Sequence, residues 1–317
     1  MTAEAFGQVV RTDAKVVHVL IDGEVRQFAP RGKLFDARGA DMKNPLAVGD
    51  RVRVSLEGNP PGVEEVMPRT NYLSRVASSH DPREQVLLAN VDQLFVIASA
   101  ANPRFSSNRT DRILAACQYH EIPARLVLNK ADLADPAEAG AIAATYEAAG
   151  VPVLPTSALE RTGLEALSEL LRGRVTAFYG ASGAGKSTLL NALSPSLKLK
   201  TGSISRFWEQ GKHTTSFSNM LRLLELDAWV IDTPGIRVFR LSGINKAELR
   251  DCFPEFAPFQ ARCRYQNCSH DHEPECAVFD AVEAGKIAPT RFQSYVEVLD
   301  ELAPPPDDDA PIEPPEG

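Results

Sequence analysis

The sequence predicts a multidomain protein with an N-terminal β-barrel, a central α/β domain and a C-terminal, mainly helical metal-binding domain. Short strands broken by turns occupy roughly the first 70 residues. Strongly apolar runs then alternate with amphipathic segments, as in a parallel sheet whose strands are joined by helices. Three of the five cysteines fall within one short C-terminal segment. We therefore expect domains at residues 1–72, 73–245 and 246–303, followed by a disordered acidic tail at 304–317.

The first domain is predicted to be a small closed barrel of the oligonucleotide/oligosaccharide-binding type, known as the OB-fold. Its predicted strands include Val16–Ile21, Glu24–Phe28, Arg51–Val54 and Gly62–Val66. The first two flank Asp22-Gly23, a dipeptide that favours a tight hairpin turn. Several short strands in so little chain are typical of a barrel of this size.

Basic residues of the barrel are candidates for contacts with RNA phosphates. They are Arg26, Arg31, Lys33, Arg38, Lys43, Arg51 and Arg53. Acidic residues roughly balance them, so an ordinary solvated strand surface is the alternative. The net charge of −8 argues against a uniformly basic nucleic-acid coat, but it permits a local basic face.

The composition indicates a cytoplasmic protein. No apolar run approaches the ~20 residues of a membrane span, and the N-terminus lacks the basic-then-apolar form of a signal peptide. With 317 residues and 44% hydrophobic content, the chain can bury more than one core. We expect a monomer without a membrane partner.

A full match to the phosphate-binding loop pattern G-x-x-x-x-G-K-[ST] lies in the middle of the chain. It comprises Gly180, Ala181, Ser182, Gly183, Ala184, Gly185, Lys186, Ser187 and Thr188. A predicted strand, Val175–Tyr179, precedes it, and a helical run, Leu189–Leu193, follows it. The backbone N–H groups are expected to surround nucleotide phosphates, with Lys186 neutralising their charge and Ser187 ligating Mg²⁺. This context disfavours the alternative of a Gly/Ser-rich connector.

Two loops ahead of this motif predict that the base is guanine. Asn129-Lys130-Ala131-Asp132 follows the predicted strand Ala124–Leu128, and Ser157-Ala158-Leu159 follows the predicted strand Val151–Leu154. The Asp132 carboxylate can accept hydrogen bonds from guanine N1–H and the exocyclic amino group, which adenine does not present in that arrangement. Asn129 is expected at the N7/O6 edge, the Lys130 stem on the base, and a backbone amide of the second loop at O6. A lone N-K-x-D is a weak signal, but the three motifs together predict GTP.

Two further segments are predicted to respond to the γ-phosphate. In the run His213-Thr214-Thr215 one threonine is expected to reach Mg²⁺, although such a run alone is more often an ordinary loop. The sequence leaves Thr214 and Thr215 both open, and we assign Thr215. The predicted strand pair Leu221–Leu226 and Ala228–Ile231 leads to Asp232-Thr-Pro-Gly235. Asp232 is expected to hold Mg²⁺ through water, and the Gly235 N–H to meet the γ-phosphate.

The motifs stand in the order of a circularly permuted GTPase domain. The guanine loops come first, the phosphate loop next and the switch segments last, whereas ordinary GTPases begin with the phosphate loop. Permutation preserves the sheet when the original termini lie close together. It also makes the second switch the exit from the domain, so the chain beyond Gly235 is tied to the element that moves with the γ-phosphate.

The C-terminal segment contains a candidate structural Zn²⁺ site. Cys263, Cys268 and Cys276 crowd together, which in a reducing cytosol favours a metal over a disulfide. One imidazole, from His270 or His272, completes a closed tetrahedral shell without an open position for catalytic water. Unrelated buried thiols are the alternative. Predicted helices at 277–285 and 290–302 flank the site.

Together the motifs resemble the circularly permuted ribosome-small-subunit-dependent GTPase A family, over nearly the whole chain. The resemblance is carried by Asn129–Asp132, Ser157–Leu159, Gly180–Thr188, His213–Thr215, Asp232–Gly235 and the cysteine cluster with its histidine. It favours His270 as the fourth zinc ligand. It implies a GTPase that docks on the immature small ribosomal subunit and its rRNA through the barrel and the zinc domain, and that leaves after subunit-stimulated hydrolysis to GDP.

The catalytic group is the least explicit part of the sequence. Many GTPases carry a glutamine directly after the glycine of D-x-x-G to orient the attacking water, but this chain has Ile236 there. We assign catalytic roles to Lys186, Thr215 and Gly235, and expect His213 or ribosomal RNA to supply the missing polar group. Turnover by the protein alone should therefore be slow.

Other functions compete with this interpretation. A GTP-gated RNA-binding module of another pathway would use hydrolysis only to reset binding. A phosphotransferase would need an acceptor site and a catalytic base, for which no motif is found. A purely zinc-dependent RNA binder would not need Lys186.

Overall fold

The computed structural model describes residues 4–13, 15–32, 34, 41–58, 60–78, 80–199, 218–233 and 239–302. Several residues singled out by the sequence lie outside these ranges, namely Lys33, Arg38, His213, Thr214, Thr215, Gly235, Ile236 and the tail at 304–317. None of the helices in the described ranges has the length and apolar character that crossing a membrane requires.

The strands are β1 (Glu4–Thr12), β2 (Val17–Ile21), β3 (Glu24–Pro30), β4 (Arg51–Ser55), β5 (Gly62–Val66), β6 (Tyr72–Ser78), β7 (Asp81–Ala89), β8 (Gln93–Ser99), β9 (Ala124–Asn129), β10 (Val153–Pro155), β11 (Val175–Tyr179), β12 (Asn219–Leu223) and β13 (Ala228–Asp232). The helices are α1 (Ser107–Tyr119), α2 (Pro136–Ala148), α3 (Leu164–Leu171), α4 (Lys186–Leu193), α5 (Lys246–Leu249), α6 (Ala257–Gln260), α7 (Ala277–Glu283) and α8 (Pro289–Glu301). The end of one predicted strand, Leu224–Leu226, instead forms a 3-10 turn.

The first five strands close into a barrel, as predicted. They pair in the order β1, β2, β3, β5, β4, and β4 pairs back onto β1. Apolar residues at every second position of β2, which are Val17, Val19 and Ile21, enter the barrel core. Asp22 and Gly23 have φ angles of 50° and 84°, the left-handed conformation that a two-residue hairpin turn of this type needs.

An antiparallel hairpin of β6 and β7 follows the barrel. The sequence predicts βα alternation from about this point and gives no sign of the hairpin, because the turn carries no Asn-Gly or Asp-Gly signal. The hairpin contacts the chain after β13, since the backbone N–H of Val76 donates to the carbonyl oxygen of Arg240 at 3.1 Å. It therefore links the barrel to the exit of the central sheet.

The central strands form a mostly parallel sheet in the order β10, β9, β8, β11, β13, β12. Strand β12 runs antiparallel to β13, and it also pairs with β1 where Asn219 lies opposite Arg11, so that the sheet and the barrel are continuous. Parallel strands have their carboxyl ends at one edge of the sheet. The loops after β9, β11 and β13, which hold predicted motifs, therefore lie at the same edge.

The C-terminal helix α8 packs along α1. At its far end both guanidinium Nη atoms of Arg112 donate to the carboxylate of Glu301, at 2.5 and 2.6 Å. One turn earlier on each helix, the Asn108 side-chain amide donates to Glu297. Polar contacts thus fix the register of the two helices along their exposed seam.

Deeper in the same interface lies a buried charge network around Arg291, whose side chain is only 2% exposed. Its guanidinium donates to Asp111 on α1 at 2.6 Å and to both carboxylate oxygens of Glu255 at 2.7 and 3.0 Å. It also lies 4.8 Å from the centre of the Phe253 ring. Burial would lower the pKa of Arg291, but the two carboxylates outweigh burial and raise it. Arg291 therefore stays charged.

We expect Arg291→Met to lower the free energy of unfolding by about 3–5 kcal/mol, because two buried carboxylates would lose their countercharge. The denaturant midpoint followed by circular dichroism measures the effect. Arg172→Met is a matched control, since Arg172 and its partner Glu169 have side chains 53% and 65% exposed. That control should cost less than about 1 kcal/mol. Equal midpoints for the two variants would contradict the assignment of Arg291 as the central residue of this interface.

Candidate functional site

The phosphate loop connects β11 to α4, and its shape requires glycine. Gly183 and Gly185 have φ angles of 83° and 95°, which residues with a Cβ rarely adopt. A Cβ on Gly180 would stand 2.3 Å from the carbonyl oxygen of Ile97, and one on Gly185 would stand 2.2 Å from Nδ2 of Asn129. The loop therefore lies directly against the ends of β8 and β9.

Lys186 is the first residue of α4, and its side chain is buried against the loop. Its Nζ donates to the carbonyl oxygen of Gly180 at 2.7 Å. Burial lowers the pKa of Lys186, and the negative charge of Asp232 opposes this shift. Burial raises the pKa of Asp232, and the positive charge of Lys186 opposes that shift in turn. A cation and an anion are thus buried together at the edge where β11 and β13 end.

Asp232 is only 4% exposed, and its Oδ1 has no hydrogen-bond partner among the residues that the structure describes. The next residue, Thr233, donates from its N–H and its hydroxyl to the carbonyl oxygen of Phe178, at 3.1 and 2.9 Å. These bonds fix the end of β13 beside β11. A buried carboxylate oxygen without a donor, with the Ser187 hydroxyl in the first turn of α4, is an oxygen donor set that suits Mg²⁺.

Asn129 ties the first guanine loop to the phosphate loop. Its Nδ2 donates to the carbonyl oxygen of Ala184 at 2.9 Å, and its Oδ1 accepts from the Thr156 hydroxyl at 3.3 Å. The residue is 1% exposed. The sequence assigns Asn129 to the guanine edge, and these bonds use only one of the two N–H groups of its amide. The Asn129 side chain thus connects the loop after β9 to the phosphate loop and to the loop after β10.

Lys130 and Asp132 follow at the surface of the same loop. Lys130 is in the left-handed region, with φ of 62°, and its Nζ donates to the carbonyl oxygen of Asn102. Its Cε lies 3.8 Å from the point where a Cβ of Gly185 would be. The N–H of Ala131 donates to the carbonyl oxygen of Thr156 at 3.1 Å, so the 3-10 turn that contains Asp132 is held to the second guanine loop. Asp132 itself is half-buried.

The second guanine loop is built around a buried serine. The Ser157 N–H donates to the carbonyl oxygen of Thr162 at 3.0 Å, and its hydroxyl accepts from the Glu160 N–H at 3.0 Å. Ala158 is half-buried, and Leu159 is 80% exposed at the tip. The loop is thus internally braced and presents its tip to solvent beside the first guanine loop.

A third loop, between β8 and α1, also supports the site, and no sequence motif predicts its role. Besides accepting from Lys130, it places Cδ of Pro103 3.5 Å from the point where a Cβ of Gly183 would be. It therefore touches the guanine loop and the phosphate loop together. The Asn102-Pro103 dipeptide is a turn signal that marks such a loop, although nothing in it indicates a nucleotide.

A second candidate site lies in the C-terminal region. The ligand atoms of Cys263, Cys268, His270 and Cys276 all lie within 4.8 Å of one another, so this cluster can hold a metal ion. Nδ1 of His270 lies 3.4 Å from Sγ of Cys276 and 3.7 Å from Sγ of Cys263. The alternative ligand His272 has a side chain 80% exposed. The structure thus brings His270, and not His272, to the cysteines.

The chemistry of this cluster fits a metal. Burial raises the pKa of the Cys268 thiol to about 12, so a thiolate at this place needs a nearby cation. The His270 ring packs edge-on against the ring of Phe256, with the two ring centres 5.9 Å apart. Three sulfurs and one imidazole nitrogen at these separations are the donor set of a closed tetrahedral site.

Comparison with known proteins identifies the family. Residues 66–242 match the model of the RsgA GTPase family. The chain belongs to the RsgA GTPase family. It is therefore a GTP-hydrolysing enzyme, and the resemblance predicted from the motifs is confirmed.

Named relatives cover nearly the whole chain. The small ribosomal subunit biogenesis GTPase RsgA of Gemmatimonas aurantiaca is 40% identical over 307 residues, which is 95% of this chain and 99% of that protein. The small ribosomal subunit biogenesis GTPase RsgA 2 of Bacteroides thetaiotaomicron is 38% identical over 284 residues, covering 88% of this chain and 91% of that protein.

Solved structures give the same result for the fold. The crystal structure of YjeQ from Thermotoga maritima superposes with a TM-score of 0.71 at 32% identity, over 95% of this chain and 99% of that one. YloQ, described as a circularly permuted GTPase, gives a TM-score of 0.64 at 28% identity and 95% coverage of each chain. The predicted fold class is confirmed: a barrel, a GTPase domain in permuted order and a C-terminal Cys/His cluster.

Gly185→Ala should weaken binding of a fluorescent GTP analogue by at least about tenfold, or 1.4 kcal/mol, because the new Cβ would displace Asn129 and distort the loop. Gly173→Ala is the matched control: its φ of 67° is also positive, but its Cβ would meet nothing within 4 Å. The control should bind the analogue normally. Similar affinities for both variants would show that the Asn129 contact does not shape the site.

Proposed function

We propose that this GTPase assists late maturation of the small ribosomal subunit. In the GTP state it binds the subunit and its rRNA, and it is released as the GDP form after hydrolysis that the subunit stimulates. One observation carries the proposal: the Asn129–Ala184 hydrogen bond joins the guanine and phosphate loops into one site, in a chain whose relatives are named small ribosomal subunit biogenesis GTPases.

We infer distinct roles for the loop residues at the nucleotide. Asp132 accepts from guanine, Asn129 contacts its N7/O6 edge, the Lys130 stem covers the base, and the loop of Ser157 and Ala158 donates to O6. The phosphates lie in the loop Gly180, Ala181, Ser182, Gly183, Ala184, Gly185, Lys186, Ser187 and Thr188. When the nucleotide binds, Lys186 exchanges its hydrogen bond to the Gly180 carbonyl oxygen for bonds to phosphate oxygens. The negative charge of the phosphates then stabilises the buried ammonium group.

Hydrolysis uses the same geometry. Ser187, Asp232 and Thr215 are the residues that would hold Mg²⁺, which when bound would supply neutralisation of the charge on the β- and γ-phosphates. Gly235 donates its N–H to the γ-phosphate, and water attacks the γ-phosphorus to give GDP and inorganic phosphate. His213 or rRNA orients that water, since Ile236 has no polar group. Dependence on rRNA would make the subunit itself the trigger for release.

The flanking regions are the proposed contacts with the subunit. We infer domains at 1–72, 73–245 and 246–303, with the barrel contacting rRNA and the Cys263, Cys268, His270, Cys276 cluster holding one structural Zn²⁺. The protein would act as a monomer in the cytoplasm, where its ribosomal partner is. Elemental analysis of the purified chain for zinc tests the metal assignment, and one equivalent is expected.

The main test is the rate of phosphate release with GTP alone, with immature small subunits, with mature small subunits and with unrelated free RNA. We expect the subunits to raise the rate by at least about tenfold, or 1.4 kcal/mol of activation free energy. Lys186→Ala should abolish the stimulated rate without unfolding the chain. Equal stimulation by unrelated free RNA would instead support a GTP-gated RNA-binding module of another pathway, and an unstimulated rate would contradict the proposal.

Asp132→Asn should change the base specificity. Xanthine carries a carbonyl where guanine has its exocyclic amino group, so an asparagine NH₂ pairs with xanthine but not with guanine. Loss of hydrogen bonds to a charged acceptor should reduce GTP affinity by about 10–100-fold, while xanthosine triphosphate gains affinity. Competition against a labelled GTP analogue measures both effects. Asp135→Asn, which changes the same charge at the cap of α2, should leave the preference for GTP unchanged.

A further inference from the structure

We propose that Glu273 is a positioning residue of the metal site: it is not a ligand, but it holds the backbone on both sides of His270 so that the imidazole faces the three sulfurs. The inference rests on the proposed zinc site and goes beyond it, because no ligand pattern points to Glu273. The carboxylate lies three residues after His270 and three before Cys276, within the loop that joins the last two ligands.

Both oxygens of Glu273 are occupied by donors from this loop. Oε1 accepts from the Ser269 N–H at 2.6 Å and from the Ser269 hydroxyl at 2.7 Å, and Oε2 accepts from the Asp271 N–H at 3.3 Å. The carboxylate therefore holds Ser269 and Asp271, the residues before and after His270, by hydrogen bonds. Glu273 is not among the residues whose ligand atoms cluster together, which are Cys263, Cys268, His270 and Cys276.

This restraint is needed because His270 has an uncommon backbone conformation. Its φ is 59°, in the left-handed region that is unfavourable for a residue with a Cβ. In this conformation, with Ser269 and Asp271 held, Nδ1 lies 3.4 Å from Cys276 Sγ. The hydrogen bonds of Glu273 offset the backbone cost before any metal binds.

Hydrogen bonds favour the charged form of the Glu273 carboxylate. Burial would raise the pKa of Glu273, but the hydrogen bonds from Ser269 and Asp271 outweigh it and lower the pKa to about 2.

Two other contacts hold the backbone of the metal loop. The Tyr295 hydroxyl donates to the Ser269 carbonyl oxygen at 2.5 Å, and Arg250 donates to the Cys268 carbonyl oxygen at 3.3 Å. Outer residues that orient ligands in this way commonly change metal affinity by about 10–100-fold.

The test measures zinc affinity by competition with a chromophoric chelator, in the full chain and with Zn²⁺ alone as the probe. Glu273→Gln is nearly isosteric and keeps one acceptor, but its amide NH₂ cannot accept from the Asp271 N–H. We expect about tenfold weaker zinc binding for Glu273→Gln and a larger loss for Glu273→Ala. If Glu273→Ala fails to fold, Glu273→Gln decides the question.

Glu275→Gln is the matched control, because it removes the same charge two residues away in the same loop. The Glu275 carboxylate pairs with the exposed side chain of Arg264 and not with the backbone around His270. The zinc affinity of this variant should equal that of the unaltered protein. Equal affinities for Glu273→Gln and Glu275→Gln would overturn the proposal.

A spectroscopic readout separates positioning from general stability. In the Co²⁺-substituted protein, the ligand-field bands report the geometry of three thiolates and one imidazole. We expect these bands to weaken or shift in Glu273→Gln and to remain unchanged in Glu275→Gln. A lower melting temperature with an unchanged Co²⁺ spectrum and unchanged zinc affinity would show a merely structural role and overturn the proposal. If the unaltered protein binds neither zinc nor cobalt, the proposed metal site itself is wrong, which is a separate outcome.

Discussion

The nucleotide site depends on the parallel pairing of β8, β9, β11 and β13, because that pairing brings the loops after these strands to one edge of the sheet. The site needs the neighbour order of the strands and not their order along the chain. The Asn129–Ala184 bond crosses 55 residues of sequence and yet joins loops on neighbouring parts of this edge. Circular permutation can therefore move the chain ends without disturbing the site.

Permutation does change the connection beyond the sheet. In the described residues the next helix after β13 is α5, and the segment 239–245 that precedes this helix is held at two places by earlier parts of the chain. The hairpin holds Arg240 through the Val76 N–H, and α1 holds Gly243, whose carbonyl oxygen accepts from the Tyr119 hydroxyl at 2.8 Å. The chain after β13 is thus in contact with the β6–β7 hairpin, which follows the barrel. Both flanking regions are attached beside the strand that carries Asp232.

Much of this arrangement could be predicted from sequence, because local patterns carry it. The Asp22-Gly23 turn, the alternation in β2 and the apolar run of β8 each follow from chemistry within a few residues. The glycine loop and the cysteine cluster are identifiable because their spacing is itself the signal. These elements agree with the structure to within a few residues.

The rest depends on contacts between distant residues, which a single sequence does not reveal. Nothing near Asn129 indicates that its amide bonds Ala184, and nothing near Arg291 indicates two carboxylates on other elements. A buried arginine looks the same in sequence as a solvated one until its partners are known. Likewise Glu273 looks like one more acid in a polar loop, and only the folded loop shows both its oxygens bonded to neighbours of His270.

Helix α8 connects the metal loop to the GTPase domain through one of its faces. Arg291 and Tyr295 are four residues apart, so they project from the same side of the helix. The first bonds Asp111 on α1, and the second donates to Ser269 beside the histidine ligand. Buried ion pairs add little net stability compared with apolar packing, but breaking one is costly, so they favour one seating of two surfaces over others. The contacts of Arg291 and Tyr295 therefore set the orientation of the metal loop relative to α1. Through α1 they also relate the metal loop to the loop that supports the phosphate site.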